Sequence, residues 1–236
     1  MAGPVVHALI PAAGQGRRFG GTVLKQYLPF AGRPVLAHAI AAVNQYPDIA
    51  GITVVLAADD RIFDEVNDPG FDGIRTVVGG ETRAQSVLNG LAAIRARFSD
   101  SSWVLVHDAA RPCLPRQCLD ELLERGLAHP DGAILATPVQ DTLKRAGEDG
   151  TIQETVDRDG LWAAQTPQLF PLDRLVTAIE QMLQDGLVPT DEASAMQHIG
   201  AKPLLVMGSA ANIKITRPGD VAIAEAWLQA REGKDA

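Results

Sequence analysis

A chain of 236 residues, 46% hydrophobic and 21% charged, is long enough to bury a real core and suits one compact unit with at most an appendage. Its formal net charge of −8 argues against a general nucleic-acid-binding surface, so an anionic ligand is allowed only where cations gather locally. No run reaches the roughly 18 apolar residues of a membrane helix, and the start lacks the basic and long apolar segments of a secretion signal. No membrane partner is therefore expected. Cys113 and Cys118 match no zinc or CxxC spacing, and the five histidines form no HExxH cluster. They read as reduced thiols of a cytoplasmic protein without a zinc site.

Short apolar runs alternate with longer stretches of helical spacing. Residues 5–10 read as a buried strand, and a glycine-rich loop follows. Residues 34–45 have helical spacing, residues 52–57 form a second strand, and Asp59 is placed to cap the helix after it. A third strand covers residues 74–78. Thr82 then opens a helix whose Ala84, Val87, Leu91, Ile94 and Phe98 share one face. Residues 103–106 and 133–136 give two more strands. Strands that are apolar on both faces and separated by helices predict an α/β fold, doubly wound, with a mostly parallel sheet covered on both sides. The pattern breaks at residues 138–160, where TLKRA returns as TIQETV around a Gly/Asp turn. With little apolar surface of its own, this reads as a protruding β-hairpin arm. A helix at residues 172–184, another beginning near Thr190, a strand at 203–206, a short strand at 212–216 and a last helix at 218–229 complete the chain. Residues 1–236 are thus expected to form a single domain, with the arm at about 138–160.

The loop after the first strand, PAAGQGRRFGGTVLKQY, carries Gly14, Gly16, Gly20 and Gly21 beside Arg17, Arg18 and Lys25. Glycines let backbone N–H groups approach an anion, and the cations add charge, which describes a cradle for a triphosphate. It is not a P-loop, because Arg17 follows Gly16 where Lys-Ser/Thr is required, and its glycine spacing is one residue too long for a dinucleotide fingerprint. Two glycines at 79 and 80 precede Glu81, Thr82 and Arg83, with Thr82 and Gln85 suited to a capping box. Asp108 ends a buried strand and is a candidate Mg²⁺ ligand, since magnesium needs only one or two protein carboxylates beside phosphate oxygens. His107 faces the other way by strand alternation and reads as structural. Lys214 stands alone in an apolar segment, either at a sheet edge or aimed into a site.

PAAGxGxR followed by Lys25-Gln26-Tyr27 resembles the nucleotide loop of the 2-C-methyl-D-erythritol 4-phosphate cytidylyltransferase family, polyol-phosphate nucleotidyltransferases of non-mevalonate isoprenoid biosynthesis. VVGGETRAQSVLNGL, VHDAARP, DTLKRA, TVDRDGLWAAQTPQ, TDEASAM and NIKITRPGD continue the likeness to the last helix. The resemblance implies CTP and a small polyol phosphate as substrates, Mg²⁺ as cofactor and a Rossmann-like nucleotidyltransferase fold. It places Ala12, Ala13, Gly14 and Gly16 at the nucleotide, Gly80, Glu81 and Ser86 at cytosine, and Asp108 and Ala109 at the metal and ribose. Arg18 and Lys25 would act on the transferring and leaving phosphates, and Lys214 between the α-phosphate and the acceptor. Thr142 and Arg158, from the arm of a partner in a homodimer, and Thr166 would hold the acceptor; Arg17 has no firm role. Ribitol 5-phosphate is an alternative acceptor. A nucleotide-sugar glycosyltransferase would be expected to carry a DxD where this chain has His107-Asp108-Ala109, and a non-catalytic nucleotide-binding module would not need Lys25, Asp108 and Lys214 together.

Overall fold

The computed structural model describes residues 4–14, 24–66, 68–98 and 102–232. Its strands are β1 (Val6–Pro11), β2 (Pro29–Phe30), β3 (Arg33–Pro34), β4 (Ile49–Leu56), β5 (Arg75–Val78), β6 (Trp103–Val106), β7 (Ala133–Pro138), β8 (Leu143–Ala146), β9 (Ile152–Val156), β10 (Trp162–Pro171) and β11 (Leu204–Met207). The helices are α1 (Val35–Asn44), α2 (Ile62–Glu65), α3 (Arg83–Arg95), α4 (Arg116–Leu127), α5 (Leu172–Gln184), α6 (Glu192–His198) and α7 (Pro218–Glu232).

Seven strands make one sheet in the order β11-β7-β10-β6-β1-β4-β5. All neighbours run parallel except β10, which is antiparallel to both β6 and β7. Period-two alternation divides the core. Val6, Ala8, Ile10 and Leu105 face one side, where Leu36 and Ile40 of α1 and Leu119, Leu122 and Leu123 of α4 cover them. Leu9, Val104 and Val106 face the other, under Val87, Leu91 and Ile94 of α3 and Leu175 and Ile179 of α5. Both faces of the sheet are thus buried, as a parallel sheet requires. A third, smaller cluster seats α7 through Ala224 and Leu228 on Phe30, Val35 and Ile215.

Several elements differ from the sequence expectation. Residues 161–170 carry Gln, Thr and Pro and gave no strand signal, yet they supply β10 in the middle of the sheet. Its register shifts between Ala164 and Gln168, which accommodates Pro167. Residues 212–216 form no strand and lie outside the sheet, fastened where the Ile215 N–H donates to the Ala110 carbonyl at 2.8 Å. The cap after β4 is Asp60, which accepts from the N–H groups of Ile62 and Phe63, and not Asp59. Thr82 does cap α3 by accepting from the Gln85 N–H, but the Gln85 side chain turns to Asn89, so the box is half closed. Phe98 lies beyond the end of α3, its ring centroid 3.7 Å from that of His7. Helix α4 gives a weak sequence signal, because its three buried leucines stand among six polar or charged residues of twelve.

The hairpin β8–β9 forms as expected and exposes most of its side chains. Ile152 is 68% exposed. Its exposed Arg145–Glu154 ion pair contributes at most about 1 kcal/mol.

Gly132 makes the tight turn into β7 with φ +74°, and a Cβ there would overlap the Leu169 carbonyl oxygen. Gly132→Ala should therefore destabilise the protein by about 2 kcal/mol or more, since neither the left-handed backbone nor the β10 carbonyl can move cheaply. Urea unfolding checks this; a change under about 0.5 kcal/mol would mean that the turn relaxes freely.

Candidate active site

The site is built where four adjacent parallel strands end. Three backbone bonds extend the ladder just past them: Ala12 N–H to Val55 O, Gly79 N–H to Leu56 O and His107 N–H to Leu9 O, at 2.8, 2.8 and 2.9 Å. Beyond that line residues 11–14, 57–58, 79–83 and 108–110 turn outward around one cavity of roughly 770 Å³, with Lys25, Gln26, Ser86 and Lys214 completing its wall. Ligands of open α/β sheets bind in this position, outside the carboxyl ends of the strands.

Lys25 begins a single 3₁₀ turn, Lys25–Tyr27, that the buried Gln26 ties down by donating to the Ala12 carbonyl at 2.9 Å. The Tyr27 hydroxyl donates to Asp60 at 2.8 Å, and burial together with that carboxylate raises its pKa. Across the cavity Gly79 packs so closely on Ala13 and Ser86 that no side chain would fit. The Ser86 hydroxyl donates to the Thr82 carbonyl at 2.9 Å and accepts from the Gly80 N–H at 3.1 Å. Residues 79–82 are thereby fixed with their backbone facing the cavity.

Asp108 is the electrostatic centre. Its Oδ2 lies 2.8 Å from Lys214 Nζ and 3.5 Å from Arg111 Nε, and its Oδ1 lies 3.8 Å from Arg83 Nη2. Burial works to raise its pKa; Lys214, then Arg83 and Arg111, outweigh that and bring it down to about 2. Arg83 is held from behind by Glu192, which is 1% exposed, in a two-bonded grip at 2.7 and 3.1 Å. Burial works against the charge on Arg83, and Glu192 more than restores it. Arg111 donates to the Asn212 carbonyl at 2.6 Å, and Asn212 donates to the Thr166 carbonyl at 2.8 Å.

His107 is fully buried, and burial lowers its pKa to about 4, so the ring is neutral. Its Nε2 is 3.0 Å from the Arg111 carbonyl, which can only accept. The proton is therefore on Nε2, and Nδ1 accepts from the Thr166 hydroxyl at 3.2 Å. That hydroxyl in turn accepts the Asp108 N–H at 2.9 Å. The ring thus pins the turn between Asp108 and Arg111 to β10, which is a structural role.

Of the residues singled out in the sequence, Ala12, Ala13, Gly14, Lys25, Gly80, Glu81, Ser86, Asp108, Ala109 and Lys214 converge on this cavity. Gly16, Arg17 and Arg18 lie outside the described residues. Thr166 is buried behind Asp108, with its hydroxyl engaged as above. Thr142 and Arg158 sit exposed at the foot of the arm and are not part of the cavity wall of their own chain. Arg83, Arg111, Asn212 and Glu192 were missed, although each lies inside a motif that the sequence displays. Arg111 and Asn212 each stand beside apolar neighbours, whereas Arg83 and Glu192 lie in polar segments that give no such signal. Among the described residues there is no cluster of three or more His, Cys, Asp or Glu able to hold a metal. Nor is any helix long and apolar enough to cross a membrane.

A doubly wound sheet whose strand ends gather a glycine turn, several cations and a buried, ionised carboxylate has the architecture of a nucleotidyltransferase. The sequence model of the 2-C-methyl-D-erythritol 4-phosphate cytidylyltransferase family matches residues 6–230. The protein of that name from Shewanella amazonensis is 48% identical over 225 residues, covering 95% of this chain and 94% of its own. Its counterpart from Vibrio parahaemolyticus is 45% identical and covers 96% of each. The crystal structure of a 4-diphosphocytidyl-2C-methyl-D-erythritol synthase superimposes with a TM-score of 0.84 at 39% identity, over 97% of this chain and all of that one. The Francisella tularensis cytidylyltransferase gives 0.80 at 35%, over 94% and 99%. The chain belongs to the 2-C-methyl-D-erythritol 4-phosphate cytidylyltransferase family.

Because the folded-state pKa of Asp108 is depressed, the stability it contributes is fully present above its ordinary value of 3.8 and is lost as pH falls through about 2. The difference corresponds to about 2 kcal/mol. Asp108→Asn should therefore flatten the pH dependence of the unfolding free energy between about pH 4 and 2. Equal slopes for the two proteins in urea titrations would show that Asp108 is not coupled to its cations.

Proposed function

We propose that this cavity binds CTP and transfers its cytidylyl group to 2-C-methyl-D-erythritol 4-phosphate, giving 4-diphosphocytidyl-2-C-methyl-D-erythritol and pyrophosphate, a step of non-mevalonate isoprenoid biosynthesis. The observation that carries the reading is the convergence of Lys25 and Lys214 with a buried, ionised carboxylate on a glycine-lined cavity, in a chain whose overall charge is negative.

The acceptor's phosphate monoester is already largely ionised at neutral pH and needs no general base. One of its oxygens attacks the α-phosphorus of CTP in line. A new P–O bond forms, the bond from the α-phosphorus to the bridging oxygen breaks, and its electron pair leaves with pyrophosphate. Two anions must meet, and charge builds on the transferring phosphoryl group, so positioned cations are the main catalytic resource. Lys25, with Arg18 from the glycine loop, serves the transferring and leaving phosphates. Lys214 lies between the α-phosphate and the acceptor. Ala12, Ala13, Gly14 and Gly16 cradle the phosphates, and Ala109 faces the ribose. Gly80, Glu81 and Ser86 read the cytosine edge through groups fixed by the Ser86 hydrogen bonds.

Asp108 suits Mg²⁺, because its carboxylate is ionised and on the cavity wall, and magnesium brought in by a triphosphate needs only one or two protein oxygens. When bound, the metal neutralises triphosphate charge. The free thiols Cys113 and Cys118 fit a cytoplasmic setting, and residues 1–236 act as one nucleotidyltransferase domain.

Pyrophosphate release should require CTP and the methylerythritol phosphate together, with ribitol 5-phosphate a poor substitute. UTP should be rejected by at least about 100-fold in kcat/KM, since it leaves base-reading groups unpaired. Equal rates with CTP and UTP would remove the base pocket, and equal rates with both acceptors would remove the acceptor assignment.

Thr142 and Arg158, which do not line their own cavity, serve that of a partner in a two-fold homodimer, in which Thr166 is their companion at the acceptor. In mixed dimers of differently tagged Lys25→Ala and Arg158→Ala chains, one site then inherits both defects and the other neither. About half of wild-type activity should return, because a two-fold dimer has two equivalent sites. Activity at the level of the single variants would show that the arm serves its own chain.

A further inference from the structure

Arg83 lines the cavity but stands back from Asp108. Its Nη2 is 3.8 Å from Asp108 Oδ1, outside hydrogen-bond range, whereas Lys214 makes a full contact with Oδ2 at 2.8 Å. A guanidinium left to itself beside an ionised carboxylate would close to about 2.8 Å and form a charge-assisted bond. Glu192 prevents this. Both of its oxygens engage both terminal nitrogens of Arg83, which fixes the plane and the reach of the guanidinium.

Glu192 is itself placed with little freedom. It is the first residue of α6, behind a complete capping box formed by Asp191 and Ser194. Gln168 of β10 clamps that helix start, donating to Asp191 at 2.9 Å and accepting from the Ala193 N–H at 2.9 Å. Two residues earlier on β10, Thr166 takes the Asp108 N–H. One strand therefore holds Asp108 twice: at its backbone through Thr166, and at its carboxylate through α6, Glu192 and Arg83. Lys214 and Arg111 approach Oδ2, and Arg83, at 3.8 Å, is the guanidinium that faces Oδ1.

We infer that Glu192 is a positioning residue that holds Arg83 off Asp108, keeping Oδ1 open for the nucleotide and its metal while Lys214 and Arg111 engage Oδ2. The inference rests on the functional reading above. It also explains why a buried acid sits in the TDEASAM segment, far in sequence from the cavity.

The test uses Glu192→Gln, which preserves shape and removes the charge, with Glu192→Asp as a second variant that keeps the charge but shortens the reach. In a crystal structure of either, Arg83 should move to within about 3.2 Å of Asp108 Oδ1. At unchanged folding by calorimetry, kcat/KM for CTP should fall at least about tenfold, as for loss of a positioned contact. The double substitution R83M/E192M removes the pair together, a change that buried ion pairs often tolerate in stability. It should be at least about threefold more active than Glu192→Gln, because the arginine that blocks Oδ1 is gone. Because removing both partners of a merely structural pair can also restore stability, the rescue is read in kcat/KM on variants of equal folding, beside the Arg83–Asp108 distance in the crystal. Arg83 remaining near 3.8 Å in a folded variant, or a double variant no more active than the single one, would overturn the inference. Wild-type enzyme that releases no pyrophosphate would instead overturn the functional reading, and the crystallographic outcome would still decide the geometry.

Discussion

A carboxylate taken out of water is costly unless its charge is met, and Asp108 sits 9% exposed at the end of β6. Meeting that charge organises the surroundings. Lys214 arrives from residues 212–216, Arg111 from the turn after β6, and Arg83 from the start of α3. The two guanidinium groups are anchored in turn, Arg111 by the Asn212 carbonyl and Arg83 by Glu192. The cluster is thus a set of linked obligations reaching four segments that are remote in sequence. A cavity lined this way carries its cations already oriented, and little reorganisation remains when an anion enters.

The strand that lets these segments meet is β10. Running against its neighbours, it passes from the foot of the arm to the start of α5 in ten residues. Along it Gln165 bonds Ser209 and Asn212, Thr166 bonds Asp108, and Gln168 bonds the start of α6. Polar side chains in a central strand would ordinarily weaken it. Here the register shift between Ala164 and Gln168 turns them to partners that β-ladder geometry could not reach.

The same polarity explains what the sequence concealed. β1, β6 and α5 were legible because aliphatic runs and a continuous apolar face leave one reading, and α5 was predicted to its observed bounds, Leu172–Gln184. The β10 segment has the composition of a loop, and only the ladder on both sides makes it a strand. Residues 212–216 misled in the opposite direction. Their alternation is real, but Ile215 is buried against Phe30, Val35 and α7 rather than in the sheet. In the site, Asp108, Lys25 and Lys214 could be singled out because each is conspicuous beside apolar neighbours. Glu192 and Arg83 could not be paired, since nothing local links positions separated by 109 residues.

The gathering of cations in a chain of net charge −8 also sets two electric fields against each other. Far from the surface an approaching nucleotide meets net negative charge, which slows encounter. Within about one Debye length, roughly 8 Å at physiological ionic strength, the local cations take over. Added salt weakens the distant repulsion first and the close, partly buried attraction later. Capture of the nucleotide is therefore buffered against ionic strength at the level of the encounter rate, and a dilute medium is not the one in which this cavity fills fastest.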